Sequence, residues 1–404
     1  MNNYKNKIMA INRLFYYFLL THLVIWTLIP TLTNYNLPLD TIEALAWGSN
    51  LDWGFNKHPP LSAFVAEVFY QLFGPQDWAY YFLSQLFVVT AFYYVFKLSK
   101  EILNTKKHAL LSVLILEGIF FYNFTTPEFN VNVCELPFWA MTGYYGYKCL
   151  KDNLTKDYFI LGLVAALGFL SKYLFVYLLV GIKIFYIFFI KKNKFRISYI
   201  IPGIVFLIIL SPHLFWLVEN NYITITYGLK RTGEMKSYLD HIILPFSFLI
   251  KQIGILIPFF LLLFSLSKTA KTSFSFKDQN FLYLLSISIL PIFLIFLTSM
   301  IMGAKIRTMW MTPFYLYIGT LVIYIYRNNI ALNKIKTFNY IFIFLFLLFP
   351  SLYGYISIVK NNKRTDYKGK IISENIQKQW EERNNKRISY VTGNEWIGGN
   401  ISYH

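Results

Sequence analysis

Long apolar runs recur along the chain, and short polar segments separate them. Such runs predict transmembrane helices, because roughly twenty apolar residues are needed to cross a bilayer. Eleven spans are predicted, at residues 12–32, 77–98, 108–125, 132–150, 158–171, 173–190, 197–218, 242–266, 280–301, 309–326 and 337–358. The pattern indicates an all-α polytopic membrane protein.

Basic residues are unevenly divided between the predicted loops. With the N-terminus in the cytoplasm, the cytoplasmic segments hold twenty Lys and Arg, and the five outer loops before the C-terminal tail hold seven. Cytoplasmic loops collect basic residues, so this division predicts a cytoplasmic (inner) membrane protein with its N-terminus inside and its C-terminus outside. The net charge of +18 therefore reflects topology, and we expect membrane lipids but no nucleic acid as partners.

The first outer loop, residues 33–76, is predicted to contain two helices. Residues 40–52 show the apolar stripe of an amphipathic helix lying in the membrane interface. Residues 59–74 form a second, mostly apolar stretch that opens at two prolines and is too short to cross comfortably. Two interfacial helices here would cover a cavity at the outer face.

Residues 359–404 are the one water-soluble segment predicted beyond the membrane domain of residues 1–358. The sequence predicts a helix at Ser373–Asn384 and a strand at Ile388–Val391 in this tail. A segment this short and polar cannot bury a sizeable core of its own. Either it packs on the membrane domain or it belongs to a truncated α/β domain, and the sequence favours truncation.

Composition excludes the soluble enzyme classes. Apolar residues make up 56% of the chain and charged residues only 14%, with a mean hydropathy of +0.44. Cys134 and Cys149 lie in apolar runs without a CxxC pair, so neither a disulfide framework nor a thiolate metal site is indicated. Because charge is this scarce, ionisable residues gathered at one membrane face need a reason, and chemistry on a charged substrate supplies one.

Acidic and polar side chains fall on the predicted outer face. Asp40 and Glu43 lie one helical turn apart in the first loop, where either carboxylate can act as the catalytic base. Asp40 is also the candidate ligand for a divalent metal, although no motif with metal-ligand spacing is present and no other cofactor is indicated. The expected substrate-binding residues are Glu128, Asn130, Glu135 and His213.

Positive side chains on the same face are suited to hold a phosphate. Lys57 and His58 precede the paired prolines of the first loop, and Lys172 interrupts a long apolar run where the two shortest spans meet. Lys230 and Arg231 can add further charge. The expected phosphate-binding residues are Lys57, His58, Lys172, Lys305 and Arg307.

Each candidate also has a purely structural interpretation. The first-loop acids can stabilise a helix N-terminus, and Lys172 can extend its ammonium group to the membrane surface. His213 follows Ser-Pro near a span end, where it is equally consistent with a packed histidine. Lys305 and Arg307 precede a tryptophan as an interfacial anchor would, so the sequence leaves these alternatives open.

Several motifs together resemble the GT-C glycosyltransferases, the group related to the protein O-mannosyltransferases and to the aminoarabinose transferase that modifies lipid A. An acid after the first span and an interfacial helix precede Lys57-His-Pro-Pro-Leu61. The further motifs are Pro127-Glu-Phe-Asn130, Leu170-Ser-Lys-Tyr173, Ser211-Pro-His-Leu-Phe-Trp216 and Lys305-Ile-Arg-Thr-Met-Trp-Met311. Their combined order, over about residues 10–330, is fairly specific, whereas any one motif is not.

The resemblance implies a GT-C-type bundle and an inverting transfer of a hexose or pentose from a polyprenyl-phosphate donor. The acceptor would be lipid A, a glycan or a protein of the cell envelope, outside the cytoplasmic membrane. The group's first-loop acid is catalytic or binds a metal and maps to Asp40, and its phosphate-holding lysine maps to Lys57. A second aspartate common in relatives has no counterpart, and Glu128 and Glu135 lie nearby instead, so that role is open.

Two other functions share parts of this pattern. A transporter or flippase of lipid-linked sugars or polysaccharides would have similar spans and basic loops, but its ionisable residues would lie near the bilayer midplane, often with internal repeats. Here the candidate groups gather at one predicted boundary, and the sequence contains no evident repeat. A non-catalytic envelope scaffold would leave the outer acids dispensable.

Overall fold

The computed structural model describes residues 2–103, 105–192, 196–233, 235, 237–266, 272, 274–330 and 335–404. Within these residues the chain forms α-helices and short 3-10 segments, and no β-strand. The helices are α1 (Asn2–Thr33), α2 (Leu39–Gly48), α3 (Leu61–Phe73), α4 (Asp77–Ile102), α5 (Lys106–Leu114), α6 (Val131–Asp152), α7 (Thr155–Ser171), α8 (Val176–Lys192), α9 (Ile201–Glu219), α10 (Ile223–Arg231), α11 (Asp240–Ile255), α12 (Ile257–Leu266), α13 (Gln279–Met302), α14 (Ile318–Tyr326), α15 (Ile335–Val359), α16 (Gly369–Asn384) and α17 (Ile397–Tyr403). The 3-10 segments are Ile115–Gly118, Phe120–Tyr122, Tyr173–Phe175, Ile197–Ile200, Thr308–Tyr315 and Arg364–Asp366.

The described helices confirm an all-α, multi-pass membrane protein. Five are long and apolar enough to cross a bilayer, namely α1, α4, α9 with the 3-10 turn before it, α13 and α15. Two further pairs, α11 with α12 and the Thr308–Tyr315 segment with α14, are each bent by 52° and raise the number to seven if each pair is one span. The total of eleven crossings stays a prediction, because other predicted spans are shorter or broken helices.

The third predicted span, residues 108–125, is wrong as a continuous helix. α5 ends at Leu114, and two 3-10 turns follow. Glu117 turns into the core, where its Oε1 lies 2.5 Å from Nδ1 of His22 on α1, and Asn123 Nδ2 donates to the Glu117 carbonyl at 2.8 Å. Buried polar groups need partners. Here His22 is the partner of the Glu117 carboxylate, and the Asn123 side chain is the partner of the Glu117 carbonyl.

α6 lies between α4 and α7 and packs closely against aromatic side chains. The Tyr317 hydroxyl donates to the Ala140 carbonyl, and the Tyr283 hydroxyl donates to the Gly143 carbonyl at 2.6 Å. A Cβ atom at Gly143 would lie 2.4 Å from the Tyr317 ring. A small residue at this position therefore lets the ring reach the α6 backbone, as is common between membrane helices.

Both predicted helices of the first loop form, as α2 and α3, and they pack against each other. The first is shorter than predicted, because the chain turns after Gly48 and Leu51 adopts a left-handed φ of 45°. The second ends at Gly74, whose φ of 63° suits glycine. Their position in the membrane interface stays a prediction.

The C-terminal tail packs on the membrane domain, and its membership of a larger, truncated α/β domain stays a prediction. α17 lies against α2, and Tyr403 is buried in the main core with its hydroxyl donating to Asp77 Oδ1 at 2.7 Å. The predicted strand at Ile388–Val391 is wrong. No neighbouring strand exists among the described residues, and the Ile388 N–H donates instead to the Gln377 side chain of α16 at 3.3 Å.

Candidate active site

A cavity of about 440 Å³ lies at the end of the bundle where α1, α7, α9 and α13 terminate. Its walls come from α2, residues 57–59 of the first loop, the start of α6, the turn after α7, α10, and the chain from the end of α13 to Trp310. The structure thus brings together seven of the residues proposed from sequence, which come from distant parts of the chain. The acidic, basic and histidine residues of the wall are Asp40, Glu43, Lys57, His58, Lys172, Arg231 and Arg307.

Asp40 stands in the first turn of α2, and its carboxylate is available to a substrate. Its backbone N–H donates to Glu128 Oε1 at 3.1 Å, so the loop before α6 fixes the start of α2. No hydrogen bond to the Asp40 carboxylate is found among the described residues. Burial raises the pKa of Asp40, and three nearby cations oppose that shift. A half-buried carboxylate of this kind is suited to accept a proton.

Lys57 is held by acids from two elements. Its Nζ donates to Glu43 Oε2 of α2 and lies 3.3 Å from Glu395 Oε1 of the tail. The ammonium is also 5.8 Å from the centroid of the Trp47 ring. Burial raises the pKa of Glu43 to about 7, although its contact with Lys57 lowers it. Because Glu43 is bound to the lysine, it is better placed to orient Lys57 than to act as the base.

Lys172 follows α7 and is almost completely buried, with 6% of its surface exposed. Its Nζ donates to Asn132 Oδ1 at the start of α6 and lies 5.4 Å from the centroid of the Trp310 ring. Burial lowers the pKa of Lys172 to about 8, against the charges of Glu135 and Asp40. Lys172 is therefore a fixed cation whose charge is sensitive to mildly alkaline pH.

His58 lines the cavity as a neutral imidazole. Its ring centroid lies 6.0 Å from that of Trp47 and 6.3 Å from that of Tyr227. Burial lowers the pKa of His58 to about 3, and the charges of nearby cations lower it too. It can donate one hydrogen bond to a phosphate, but it adds no positive charge.

Two arginines complete the positive side of the cavity. Arg231 ends α10 and Arg307 follows α13, and both line the wall. Lys305 does not line it, because its side chain is exposed while its backbone N–H donates to the Thr232 carbonyl at 3.1 Å. Of the Lys230 and Arg231 pair that the sequence offered as further positive charge, only Arg231 lines the cavity.

Glu128 and Asn130, predicted to bind substrate, do not line the cavity, and both contact segments that form its wall. Asn130 caps α6, with its Oδ1 accepting from the N–H groups of Asn132 at 2.9 Å and Val133 at 3.2 Å. Burial and the charge of Asp40 raise the pKa of Glu128 to about 8. Both residues therefore position groups that line the cavity.

Glu135 and His213 also lie outside the wall. Glu135 is fully buried, and neither of its carboxylate oxygens has a hydrogen-bond partner among the described residues. His213 uses both ring nitrogens, with Nδ1 2.6 Å from the Trp53 carbonyl and Nε2 2.8 Å from the Tyr173 hydroxyl. His213 thus ties the first loop to the turn that carries Lys172.

The residues present do not form a ready metal site. The described part of the chain contains no group of three or more His, Cys, Asp or Glu side chains placed to hold an ion. Glu43, the nearest acid on α2, is bound to Lys57. Asp40 as a metal ligand therefore stays a prediction.

Comparisons with known proteins agree with the resemblance drawn from the motifs. Residues 57–216 match the family model for dolichyl-phosphate-mannose-protein mannosyltransferase. The structure of ArnT from Cupriavidus metallidurans bound to undecaprenyl phosphate is 12% identical in sequence, with a TM-score of 0.60 over 96% of this chain and 73% of that chain. The apo form of the same enzyme gives 12% identity and a TM-score of 0.61 over 97% and 74%.

No curated protein matches the chain. At 12% identity the likeness to ArnT concerns the fold, and it confirms the GT-C-type architecture predicted from the sequence. The resemblance to the ArnT and protein mannosyltransferase group is thus found independently in the motifs, in the family model and in the fold.

Proposed function

We propose that the chain is an inverting membrane glycosyltransferase that moves a sugar from a polyprenyl-phosphate donor to an envelope glycolipid, glycan or protein. One observation carries the proposal: a single cavity places the free carboxylate of Asp40 among Lys57, Lys172 and two arginines. A base and several cations are the groups that transfer from a lipid phosphate requires.

In this reaction Asp40 accepts the proton of the acceptor hydroxyl or phosphate as its oxygen attacks the anomeric carbon. The bond between that carbon and the phosphate oxygen breaks, and the phosphate leaves with the electron pair. Attack opposite the leaving group inverts the anomeric centre. Phosphate is already a good leaving group, so the site needs positive charge rather than a general acid.

The cations are positioned to stabilise the charge that grows on the departing phosphate. Lys172 is fixed by Asn132 and the Trp310 ring, and Lys57 is fixed by Glu43. Cations that are held in place need little rearrangement in the transition state, which is where such stabilisation is most effective. His58 adds a neutral hydrogen-bond donor beside them.

A lipid-linked donor suits the surroundings of this site. The cavity lies at the end of apolar helices, and much of its wall is apolar. The similar ArnT structure was solved with undecaprenyl phosphate, a ligand of this class. We place the cavity on the extracytoplasmic side because basic residues concentrate in the opposite loops.

The transporter alternative is less well supported. A buried polar pair of the described bundle, His22 with Glu117, is only 0% and 1% exposed, so it is enclosed by packing rather than open to a pathway. Ionisable groups of a transport route line a water-filled cavity or a substrate site.

The test is transfer by the purified protein in lipid nanodiscs. A panel of polyprenyl-phosphate sugars would be incubated with an envelope extract, and donor loss would be measured for the natural chain and for Asp40→Asn, Lys57→Ala and Asp52→Asn. Asp52 is an exposed acid of the same loop whose Oδ1 accepts the Trp53 N–H at 2.7 Å. We expect full activity only in the natural chain and in Asp52→Asn, and donor loss slowed by roughly tenfold or more in Asp40→Asn and Lys57→Ala; full transfer by Asp40→Asn and Lys57→Ala would overturn the proposal.

A further inference from the structure

The tail brings one carboxylate to the lysine that we assign to the donor phosphate. Glu395 Oε1 lies 3.3 Å from Lys57 Nζ and accepts from Asn56 Nδ2 at 3.4 Å. The two residues are 338 positions apart, so only the folded chain joins them. Lys57 thus stands between Glu43 on the cavity side and Glu395 on the tail side.

Glu395 is held in place by the turn that starts α17. Asn394 Oδ1 accepts from the N–H groups of Trp396 at 3.1 Å and Ile397 at 2.8 Å, which fixes the backbone on both sides of Glu395. The Trp396 ring packs against Tyr367 at 5.3 Å and lies under the Arg364 guanidinium at 4.9 Å. The carboxylate is therefore presented by a structured turn.

The same helix is docked on the first loop by buried contacts. Asn36 Nδ2 donates to Asn400 Oδ1 at 2.8 Å, and Asn400 Nδ2 donates to the Trp396 carbonyl at 2.7 Å. A Cβ atom at Gly399 would lie 2.9 Å from the Ile42 side chain of α2, so the two helices touch closely. Because α2 also carries Asp40 and Glu43, the tail and the site form one packed unit.

The charges around Lys57 distinguish the lipid donor from the lipid product. The donor is a phosphodiester with one negative charge, whereas the released polyprenyl phosphate is a monoester carrying nearly two at neutral pH. Glu43 and Glu395 together bring up to two negative charges against the single positive charge of Lys57. The Glu395 carboxylate next to this lysine repels a doubly charged headgroup more than a singly charged one.

We propose that Glu395 is a specificity-determining residue that lowers the affinity of the site for the doubly charged phosphate product relative to the donor. This rests on the proposed function, in which Lys57 holds the donor phosphate. The effect keeps the enzyme from being blocked by its own lipid product. Removing the carboxylate should change the ratio of the two affinities by about threefold, the size expected for one unit charge at roughly 6 Å in water-like surroundings.

The experiment measures binding of two matched probes to the full-length protein in nanodiscs. Farnesyl phosphate and farnesyl methyl phosphate share one prenyl chain and differ by one ionisation. In Glu395→Gln and Glu395→Ala we expect farnesyl phosphate to bind about threefold more tightly relative to its methyl ester than in the natural chain. Glu395→Asp, which keeps the charge, should restore the natural ratio.

Glu382→Gln is the matched control, because it removes a carboxylate from the exposed face of α16 in the same tail. It should leave the ratio unchanged. An unchanged ratio in both Glu395→Gln and Glu395→Ala would overturn the inference. If the affinities of both probes change by the same factor, the ratio is unchanged and the role of Glu395 is purely structural.

Lys57→Ala separates this inference from the proposed function. If Lys57→Ala weakens both probes while the Glu395 variants leave the ratio unchanged, only the role of Glu395 fails. If Lys57→Ala weakens neither probe, the assignment of the phosphate site fails, and the inference fails with it.

Discussion

Asp40 and Glu117 are both withdrawn from solvent in the membrane domain, but their surroundings differ in kind. Asp40 lies on a cavity wall, and its nearby cations belong to separate segments of the chain. Glu117 is 1% exposed and sits against one partner, His22, at 2.5 Å. The Asp40 carboxylate faces a cavity that a substrate can enter, whereas the Glu117 carboxylate contacts a protein side chain.

The surroundings of a buried or half-buried carboxylate distinguish a functional role from a structural one in an apolar bundle. His22 and Glu117 are buried against each other, and removing one partner of such a pair is costly because the other is left buried without it. The charges around Asp40 are complete only when an anionic ligand joins them, since Lys57, Lys172 and two arginines outnumber the acids on the wall. Altering the first carboxylate should therefore affect catalysis, and altering the second should affect folding.

The largest expected effect is on the turnover of Asp40→Asn. The amide cannot accept the acceptor's proton, so kcat should fall about a thousandfold, within the range known for loss of a general base. The melting temperature in detergent should stay close to that of the natural chain, because the change is isosteric. A kcat within tenfold of the natural enzyme would show that Asp40 belongs with the structural charges.

Glu117→Ala should lower stability and leave activity nearly unchanged. It leaves His22 buried without its partner, and breaking a buried pair of this kind costs about 3 kcal/mol of unfolding free energy. Denaturation in detergent would measure the loss, while the specific activity of the folded fraction should stay within about twofold. The double change His22→Phe with Glu117→Met should recover most of the stability; a stable but inactive Glu117→Ala would instead make the pair functional.

Lys57→Ala should reduce kcat/KM for the donor by roughly tenfold to a hundredfold, because a charged hydrogen bond to phosphate is lost. Lys230→Ala is the matched control, since Lys230 is exposed at the end of α10 and does not line the cavity. Steady-state kinetics with the preferred donor would compare them. Equal losses in both variants would point to general surface charge rather than a specific phosphate contact.

The smallest effect concerns pH. Burial lowers the pKa of Lys172 to about 8, so its positive charge is present below that pH and is lost above it. The donor KM should accordingly rise a few-fold between about pH 7 and pH 9. Lys172→Arg should flatten this rise, because a guanidinium stays protonated. Glu43 and Glu128 also titrate near this range, so an unchanged alkaline rise in Lys172→Arg would assign it to them.

Particular elements show what sequence patterns can and cannot predict. Hydropathy located α4, α13 and α15 within a few residues, because these helices consist of long apolar runs. It failed at residues 115–123, where a run of similar hydropathy becomes irregular to satisfy Glu117. Periodicity does not reveal the partner of a buried acid, because that partner lies on another helix.

The candidate site follows the same division. The spacing of Asp40 and Glu43 placed both on one side of α2, and both line the cavity. The sequence assigned His58 to the phosphate without showing that burial keeps its imidazole neutral. It missed Glu395 as a neighbour of Lys57, because nothing in the local sequence of Glu395 indicates which loop it will contact.

The class of this protein can be read from its sequence: an apolar helical bundle, with a division of basic residues that predicts its orientation and a set of motifs that resembles the GT-C group. Local composition is enough for these, since crossing a bilayer requires only length and hydrophobicity. The tertiary structure alone decided that Asp40 is free while Glu43 is bound to Lys57, that His213 and Asn130 support the wall, and that the tail reaches the site. These outcomes depend on contacts between distant segments, and such contacts determine burial, charge and hydrogen bonding at each side chain.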